Sequence, residues 1–157
     1  MNRPLPPGRH GFERLAPGDW WETEGIVVTE YHVAAFAGVA GDFFRIHMDD
    51  VAARELGFPR RVAHGLLGLS LLDGLKNRAA VQLEAVASLE WNWRFRAPIL
   101  IGDRISGRIE VGDIRQTSKP DRAVVRLGLS LRNQDGVVVQ DGTNSLMVAR
   151  ADDRDGS

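Results

Sequence analysis

The sequence predicts an α+β domain in which an antiparallel sheet covers one hydrophobic helix. Residues 66–75 carry apolar side chains on nearly every face of a helix, which is the pattern of a buried helix. Four later segments alternate apolar and polar residues with a period of two, as strands with one buried face do. A long sheet curled around the helix is the natural way to bury it.

Short turns separate the predicted strands, so they are expected to be antiparallel neighbours. Pro98 ends the first strand, because proline cannot donate to a central ladder. Asp135-Gly136 is a strong hairpin signal before the last strand, in which Gly142 is expected to form a bulge. The strands span residues 89–97, 104–111, 125–132 and 137–149.

The first half of the chain predicts two short helices with a loop between them. Thr29 is a good N-cap, apolar residues follow at helical spacing, and Gly41 is a natural stop. Asp49 can cap a second helix at residues 50–56. The segment before them, residues 18–28, is expected to be a short strand or the entry of a hairpin.

Length and composition indicate one domain. The chain has 157 residues and 43% apolar content, enough for a single well-formed core, which we place at residues 18–150. Residues 1–17 are expected to be an extended or loose segment, and residues 151–157 a disordered tail. A net charge of −1 gives no global attraction to nucleic acid. The absence of cysteine excludes disulfides, thiolate metal sites and a cysteine nucleophile.

Neither a membrane span nor a secretion signal is indicated by the sequence. The apolar run after Gly65 is too short to span a bilayer, which needs ~20 apolar residues. The N-terminus lacks a basic segment followed by an apolar one, so the cytoplasm is the expected location.

Asp42 and His47 are the candidate catalytic pair. Asp42 comes just past the end of the first helix, where the helix dipole disfavours a carboxylate, so this acid is expected to have a partner or a task. His47 follows after a loop that contains Phe43, Phe44 and Ile46. A carboxylate and an imidazole in a dry loop form a usable acid–base couple, because imidazole titrates near pH ~6.5. The alternative is that both are surface or hydrogen-bonded structural residues.

Gly65 opens the hydrophobic helix directly after His64. Free N–H groups at a helix start bind anions or polarise a carbonyl oxygen, and glycine lets a ligand approach the backbone closely. The alternative is that Gly65 only permits a tight turn from loop to helix.

Three motifs resemble those of one enzyme family. They are Gly41-Asp42-x-x-x-Ile46-His47-x-Asp49, Val62-Ala63-His64-Gly65-Leu66-Leu67 and Phe95-Arg96-Ala97-Pro98-Ile99-x-x-Gly102-Asp103. In this order and spacing the chain resembles the (R)-specific enoyl-CoA hydratases and the wider MaoC-like dehydratases over residues 18–149. The resemblance implies the hot-dog fold. It also implies a homodimer or a higher homo-oligomer, with the active site near the subunit interface. Many members carry Asn-Pro where this chain has Phe44-Arg45.

The resemblance further implies interconversion of a trans-2-enoyl-CoA and a 3-hydroxyacyl-CoA. Asp42 and His47 are expected to hold one water and share the proton transfers, while the Gly65 N–H holds the thioester oxygen. We expect no metal, and no cofactor beyond the coenzyme A of the acyl-CoA substrate. His64 either braces the loop or touches the substrate. The candidate substrate-binding residues are Phe44, Arg45, Arg60, Arg61 and His64.

Each of these arginines has two interpretations. Arg60 and Arg61 either bind the phosphates of a coenzyme A tail or belong to a solvated charged loop. Arg45 lies among apolar neighbours and needs an anion, because an unpaired charge is costly to desolvate. The anion is either a carboxylate on the substrate or an internal carboxylate, with Asp42, Asp49 and Asp50 as candidates.

Two other functions remain open. Hot-dog proteins include thioesterases, and an acid beside a helix N-terminus could direct water at a thioester carbonyl carbon. The spacing from Asp42 to His47 favours the hydratase, because hydrolysis does not need that pair. The second alternative is a non-catalytic subunit that binds acyl thioesters, since this chain lacks the Asn-Pro of many family members.

Overall fold

Over residues 3–151, the part of the chain that the computed structural model describes, the protein forms eight strands, four α-helices and one 3-10 turn. Extended structure within residues 18–28, short helices, one long helix and four long strands follow one another in the order that the sequence predicts. The elements are β1 (Gly8–His10), the 3-10 turn (Phe12–Arg14), β2 (Trp20–Glu22), β3 (Ile26–Val27), α1 (Glu30–Ala40), α2 (Arg45–Met48), α3 (Asp50–Glu55), α4 (Gly65–Asn77), β4 (Val81–Leu83), β5 (Ala85–Phe95), β6 (Arg104–Gln116), β7 (Arg122–Arg132) and β8 (Val138–Ala149).

One antiparallel sheet contains most of the strands. Its order is β2-β6-β7-β8-β5, and β3 extends it by pairing with β6. α4 lies against the inner face, so closely that a Cβ at Gly107 of β6 would collide with the Leu72 side chain. Inward residues of the central strands, such as Ile109 and Leu127, are fully buried in this core. The predicted α+β architecture with an antiparallel sheet is therefore confirmed.

α4 is buried on one face rather than on all of them. Leu67, Leu72 and Leu75 are buried, whereas Leu66 is 59% exposed and Ser70 is also exposed. The prediction of a helix buried all round is wrong for the single chain, because the sheet covers only the side of α4 that faces it.

β5 is an edge strand, because β8 is its only partner strand among residues 3–151. Trp91 and Trp93 on its inward face are partly buried, but Leu89 is 51% exposed and Phe95 is 57% exposed. Leu89 lies where the pairing register with β8 shifts, so it leaves the inward row of side chains. The prediction of a continuous buried face along this strand is therefore wrong for the single chain.

The N-terminal segment packs against the domain. β1 pairs in parallel with β4, and Leu5, Phe12 and Leu15 are buried in the main core. The described part of this segment is thus not loose. Strands of three residues carry no readable period, so β1 and β4 are not recognisable from the hydrophobic pattern. Residues 152–157 of the predicted tail lie outside the described residues.

The helices before the site begin and end at the predicted caps. Gly41 ends α1 with a φ of +71°, and its N–H donates to the Ala37 carbonyl at 2.8 Å. The Asp49 carboxylate accepts a hydrogen bond from the Val51 N–H at 2.8 Å and so caps α3. Between them, the predicted loop contains a helical turn that the sequence does not predict, α2.

Gly142 does not form the predicted bulge. It pairs in register with Trp93 of β5 and Leu129 of β7. A Cβ at Gly142 would collide with the Asn92 carbonyl oxygen and come within 2.7 Å of the Trp93 ring. Glycine is therefore needed here for the close approach of a neighbouring strand, which is another common reason for glycine inside a strand.

Candidate active site

A cleft of about 680 Å³ opens at the N-terminal end of α4. Asp42, His47, His64 and Gly65 all line it. The cleft therefore brings together residues from all three sequence motifs. Its apolar lining includes Phe36, Phe58, Leu66, Phe95, Pro98 and Ile99.

Asp42 lies at the mouth of the cleft, just after the end of α1. One of its carboxylate oxygens accepts a hydrogen bond from the Phe44 N–H at 3.1 Å, which shapes the turn into α2. The carboxylate is exposed, and so are its neighbours Phe43 (63%) and Phe44 (57%). The expectation of a dry loop around Asp42 is thus wrong for the single chain.

His47 is held on α2 with a defined ring orientation. Its Nδ1 lies 2.6 Å from the Val62 carbonyl oxygen. A carbonyl can only accept, so Nδ1 carries the proton of this bond. In the neutral imidazole, Nε2 is then the unprotonated nitrogen and can accept a proton.

His64 is only 2% exposed and braces the loop that carries Asp42. Its Nε2–H donates to the backbone carbonyl of Asp42 at 2.9 Å. Its ring stacks on His47, with centroids 3.9 Å apart and planes inclined by 27°, and also contacts Phe36. Its Nδ1 has no hydrogen-bond partner among the described residues. These contacts fit the bracing role that the sequence suggests for His64.

Asp42, His47 and His64 form a compact polar group. One carboxylate oxygen and one nitrogen of each ring lie within 4.8 Å of one another. Zinc ligation needs ring lone pairs that converge at about 2.0–2.1 Å from both nitrogens. Stacked rings inclined by only 27° direct their in-plane lone pairs side by side instead. The observed geometry therefore differs from that of a tetrahedral zinc site.

Gly65 presents a free N–H at the first turn of α4. None of the hydrogen bonds among residues 3–151 uses this N–H, whereas the preceding carbonyl, that of His64, accepts from the Gly68 N–H at 3.2 Å. A Cβ at Gly65 would lie 2.7 Å from the Phe95 ring. Glycine thus permits the wall of the cleft to approach the helix start, and the N–H stays available to a ligand.

The other predicted substrate-binding residues do not line the cleft. Arg61 is only 21% exposed and pairs with Asp50 and Glu30. The backbone N–H of Arg61, together with its guanidinium, holds the pKa of the Asp50 carboxyl below its usual range. Arg61 therefore ties α1 and α3 to the segment before His64. Arg60 is exposed outside the cleft.

Arg45 and Phe44 also lie outside the cleft. The carboxylate nearest to Arg45 is that of Glu55, at 3.8 Å, and the side chains of both residues are 60% exposed. None of the three predicted internal partners forms an ion pair with Arg45, because its side chain reaches the C-terminal end of α3, where Glu55 lies. Phe44 meets His47 edge-on, with centroids 6.2 Å apart.

Gln140 lines the cleft and is not singled out by the sequence motifs. It is 2% exposed, and its amide reaches the Gly65 carbonyl from β8. The available signal is its phase, since Gln140 falls in the same inward row of β8 as Leu146 and Val148. A polar residue in an inward row that also contains buried apolar residues indicates a buried partner.

No helix among the described residues is long and apolar enough to cross a membrane. The solved structure of a MaoC-like dehydratase from Rhodospirillum rubrum superposes with a TM-score of 0.80 at 27% identity, covering 90% of this chain and 98% of that one. A conserved hypothetical protein from Mycobacterium tuberculosis, described as a double hotdog fold, gives 0.80 at 22% identity, covering 94% of this chain and 46% of that one. The fold of this chain is the hot-dog fold.

Sequence relatives give the same family. Protein MaoC from Klebsiella aerogenes is 37% identical over 117 residues, which are 74% of this chain but only 34% of that protein. The chain thus spans about a third of the length of that relative. The (R)-specific enoyl-CoA hydratase from Aeromonas caviae is 31% identical over 112 residues, covering 70% of this chain and 78% of that enzyme. The family model described as "MaoC like domain" matches residues 14–132. This chain therefore belongs to the MaoC-like domain family.

Proposed function

We propose that this protein is a hydratase or dehydratase that interconverts a trans-2-enoyl-CoA and a 3-hydroxyacyl-CoA. The observation that carries the proposal is the convergence of an acid, an imidazole and a free helix N–H in one cleft. The names of related proteins support the same chemistry. They include an (R)-specific enoyl-CoA hydratase and a 3-hydroxybutyryl-CoA dehydratase, the latter 29% identical over 128 residues.

The acid–base pair would act on one water. The separation of up to 4.8 Å between the Asp42 carboxylate and a His47 nitrogen accommodates a water that hydrogen-bonds to both. In hydration, the water oxygen bonds to C3 of the enoyl group while its proton passes to Nε2 of His47. The Val62 carbonyl then stabilises the imidazolium through the Nδ1–H.

The electrons of the C2–C3 double bond move toward the thioester oxygen in this step. The Gly65 N–H would donate to that oxygen as negative charge develops there. A proton supplied to C2 by the Asp42–His47 couple completes the addition. In the reverse direction, the same groups remove the C2 proton and release the C3 hydroxyl as water.

Incubation with crotonyl-CoA tests the proposal. Loss of the enoyl-thioester absorbance without release of free thiol is the expected result. Release of free thiol would instead identify a thioesterase. No change in either signal, at enzyme concentrations that bind the substrate, would indicate a non-catalytic acyl-thioester-binding subunit.

We also propose that the protein is a homodimer that pairs through β5. This edge strand exposes Leu89 and Phe95, and the uncovered face of α4 exposes Leu66. Unpaired strand edges with apolar side chains favour pairing with a second copy. Phe95 and Leu66 also line the cleft, so the partner would cover the site that the single chain leaves wet.

Sedimentation of the purified protein measures this assembly. A species of twice the chain mass of 17.3 kDa is expected for the wild type. A Leu89→Lys variant should shift the equilibrium toward monomer, because the charge sits at the edge that pairs. A wild-type monomer at micromolar concentration would contradict the assembly without deciding the reaction.

A further inference from the structure

Gln140 is held at both ends of its amide. Its Nε2–H donates to the Gly65 carbonyl at 3.0 Å, and its Oε1 accepts from the Trp93 indole N–H at 2.9 Å. The indole can only donate and the carbonyl can only accept, so the amide has one possible orientation. Gln140 thus joins the edge strand β5 to the first residue of α4.

The packing around Gln140 leaves this amide no second position. A Cβ at Gly68 would collide with Nε2 of Gln140 and lie 2.8 Å from the Ile99 side chain. Gln140 itself is 2% exposed. A buried amide that bonds to the first turn of a helix keeps a fixed geometry, because breaking either bond would leave a buried polar group without a hydrogen-bond partner.

At position 65, contacts that fix the orientation of the backbone matter more for glycine than they would for any other residue type. Glycine has the largest freedom in φ and ψ, so the orientation of one of its peptide groups relative to the other is fixed only when contacts from other residues hold both. The peptide that contains the Gly65 N–H is held on one side, through the bond from Gly68 to the His64 carbonyl. Gln140 holds the peptide on the other side, through the Gly65 carbonyl.

We propose that Gln140 is a positioning residue that orients the Gly65 N–H toward the thioester oxygen. Through Trp93, Gln140 also connects this orientation to β5. The inference rests on the proposed hydratase function, but its geometry does not depend on it. Gln140 need not touch the reacting atoms. It acts by fixing the donor that does.

The first test compares Gln140→Met with Asn144→Leu. Methionine keeps a similar volume and removes both hydrogen bonds. Asn144 is the matched control, because it lies in the same inward row of β8 and is fully buried. It also bonds to β5, through Ser88 and the Glu90 carbonyl, but its side chain makes no hydrogen bond to Gly65.

With crotonyl-CoA, Gln140→Met should lower kcat about tenfold and change KM less than twofold. A misaimed oxyanion donor loses transition-state stabilisation and leaves substrate binding nearly intact. Asn144→Leu should lower the melting temperature with kcat within twofold of wild type. Wild-type kcat in folded Gln140→Met, or an equal fall of kcat in both variants, would overturn the proposal.

A second measurement needs no substrate. The NMR order parameter of the Gly65 amide should fall in Gln140→Met and stay at the wild-type value in Asn144→Leu. An unchanged order parameter in Gln140→Met would reject the positioning role. If the wild type lacks hydratase activity, the proposed function fails, and this measurement still decides the role of Gln140.

Trp93→Phe is a milder variant that keeps the bond from Gln140 to Gly65. It should lower kcat less than Gln140→Met does, and the double variant should be no slower than Gln140→Met alone. Such non-additivity is expected when two residues act in one chain of contacts. Additive losses would show that Trp93 does not act through Gln140.

Discussion

Polar groups lie at both ends of α4, but the two ends differ in whether the hydrogen-bonding atoms of these groups already have partners. At the N-terminal end, the Gly65 N–H and the His64 Nδ1 have no partner among the described residues. At the C-terminal end, the Lys76 side chain is 7% exposed, and its ammonium contacts Asp73 at 2.7 Å and Asn144 at 3.2 Å. Unused hydrogen-bonding capacity therefore distinguishes the candidate site from a buried charge with internal partners.

We expect the largest loss of activity from substitutions in the acid–base pair, which lies beside the N-terminal end of α4. Asp42→Asn and His47→Gln should each lower kcat by at least about 10², the lower range for general acid–base groups. Both side chains are at least partly exposed, so the melting temperature should stay close to that of the wild type. Steady-state kinetics with crotonyl-CoA and a thermal melt measure the two quantities. Near-wild-type activity of folded Asp42→Asn would disprove the proposed mechanism.

The free N–H of Gly65 can be removed by Gly65→Pro. Proline is favoured at the first position of a helix, and His64 already has the extended ψ of 136° that a residue before proline prefers. Loss of one oxyanion donor should lower kcat by about 10² to 10³. Gly65→Ala is the control, because it adds the same Cβ against the Phe95 ring and keeps the N–H.

Kinetics of these two variants separate hydrogen bonding from crowding. Gly65→Ala should retain more activity than Gly65→Pro, because both variants place a Cβ against the Phe95 ring and only Gly65→Ala keeps the N–H. Equal losses in Gly65→Pro and Gly65→Ala would show that the space at Gly65 matters and that its N–H does not.

At the C-terminal end of α4, Lys76→Met should lower the stability of the fold and leave catalysis unchanged. The change leaves the Asn144 carbonyl oxygen without its partner, and an unsatisfied buried acceptor costs about 1–3 kcal/mol. Urea unfolding should show this loss, while kcat stays within twofold of wild type. A tenfold fall of kcat in Lys76→Met would contradict the inference that only the N-terminal end of α4 contributes to catalysis.

The fold could be predicted where each strand has two neighbours. β7 lies between β6 and β8, and its inward residues Val125, Leu127 and Leu131 are fully buried, as their alternation predicts. β5 has an equally clear alternation, yet Phe95, which stays in register on its inward face, is 57% exposed. Periodicity identifies the face of a strand that could be buried, whereas position in the sheet decides whether anything covers it.

The candidate site could be predicted where its members lie close in sequence. Asp42 and His47 are five residues apart, and the cap at Gly41 fixes where α1 ends. Gln140 lies 75 residues from the Gly65 carbonyl that it binds. No local pattern encodes that contact, because it depends on how β8 aligns beneath α4. The inward phase of Gln140 indicates only that it needs some buried partner.

We expect substitution of Arg45 to have the smallest effect. Arg45 is close to His47 in sequence, but it does not belong to the candidate site. It precedes His47 by two residues, but its side chain is 60% exposed and its nearest carboxylate is the equally exposed Glu55. An exposed ion pair of this kind contributes about 0–1 kcal/mol to stability. Arg45→Met should therefore leave the melting temperature nearly unchanged.

The substrate preference tests the alternative role of Arg45. If Arg45 bound a carboxylate of the substrate, Arg45→Met would lose kcat/KM for mesaconyl-CoA and keep it for crotonyl-CoA, because a guanidinium can hold both carboxylate oxygens. Since Arg45 does not line the cleft, we expect kcat/KM for both substrates to stay within about twofold of wild type, the scale of a weak surface contact. Arg96→Met is the matched comparison, because Arg96 lines the cleft and pairs with Asp141 at 3.0 Å. A larger loss in Arg96→Met than in Arg45→Met would follow from its place in the cleft wall. A selective loss of mesaconyl-CoA turnover in Arg45→Met would instead show that α2 reorients when substrate binds.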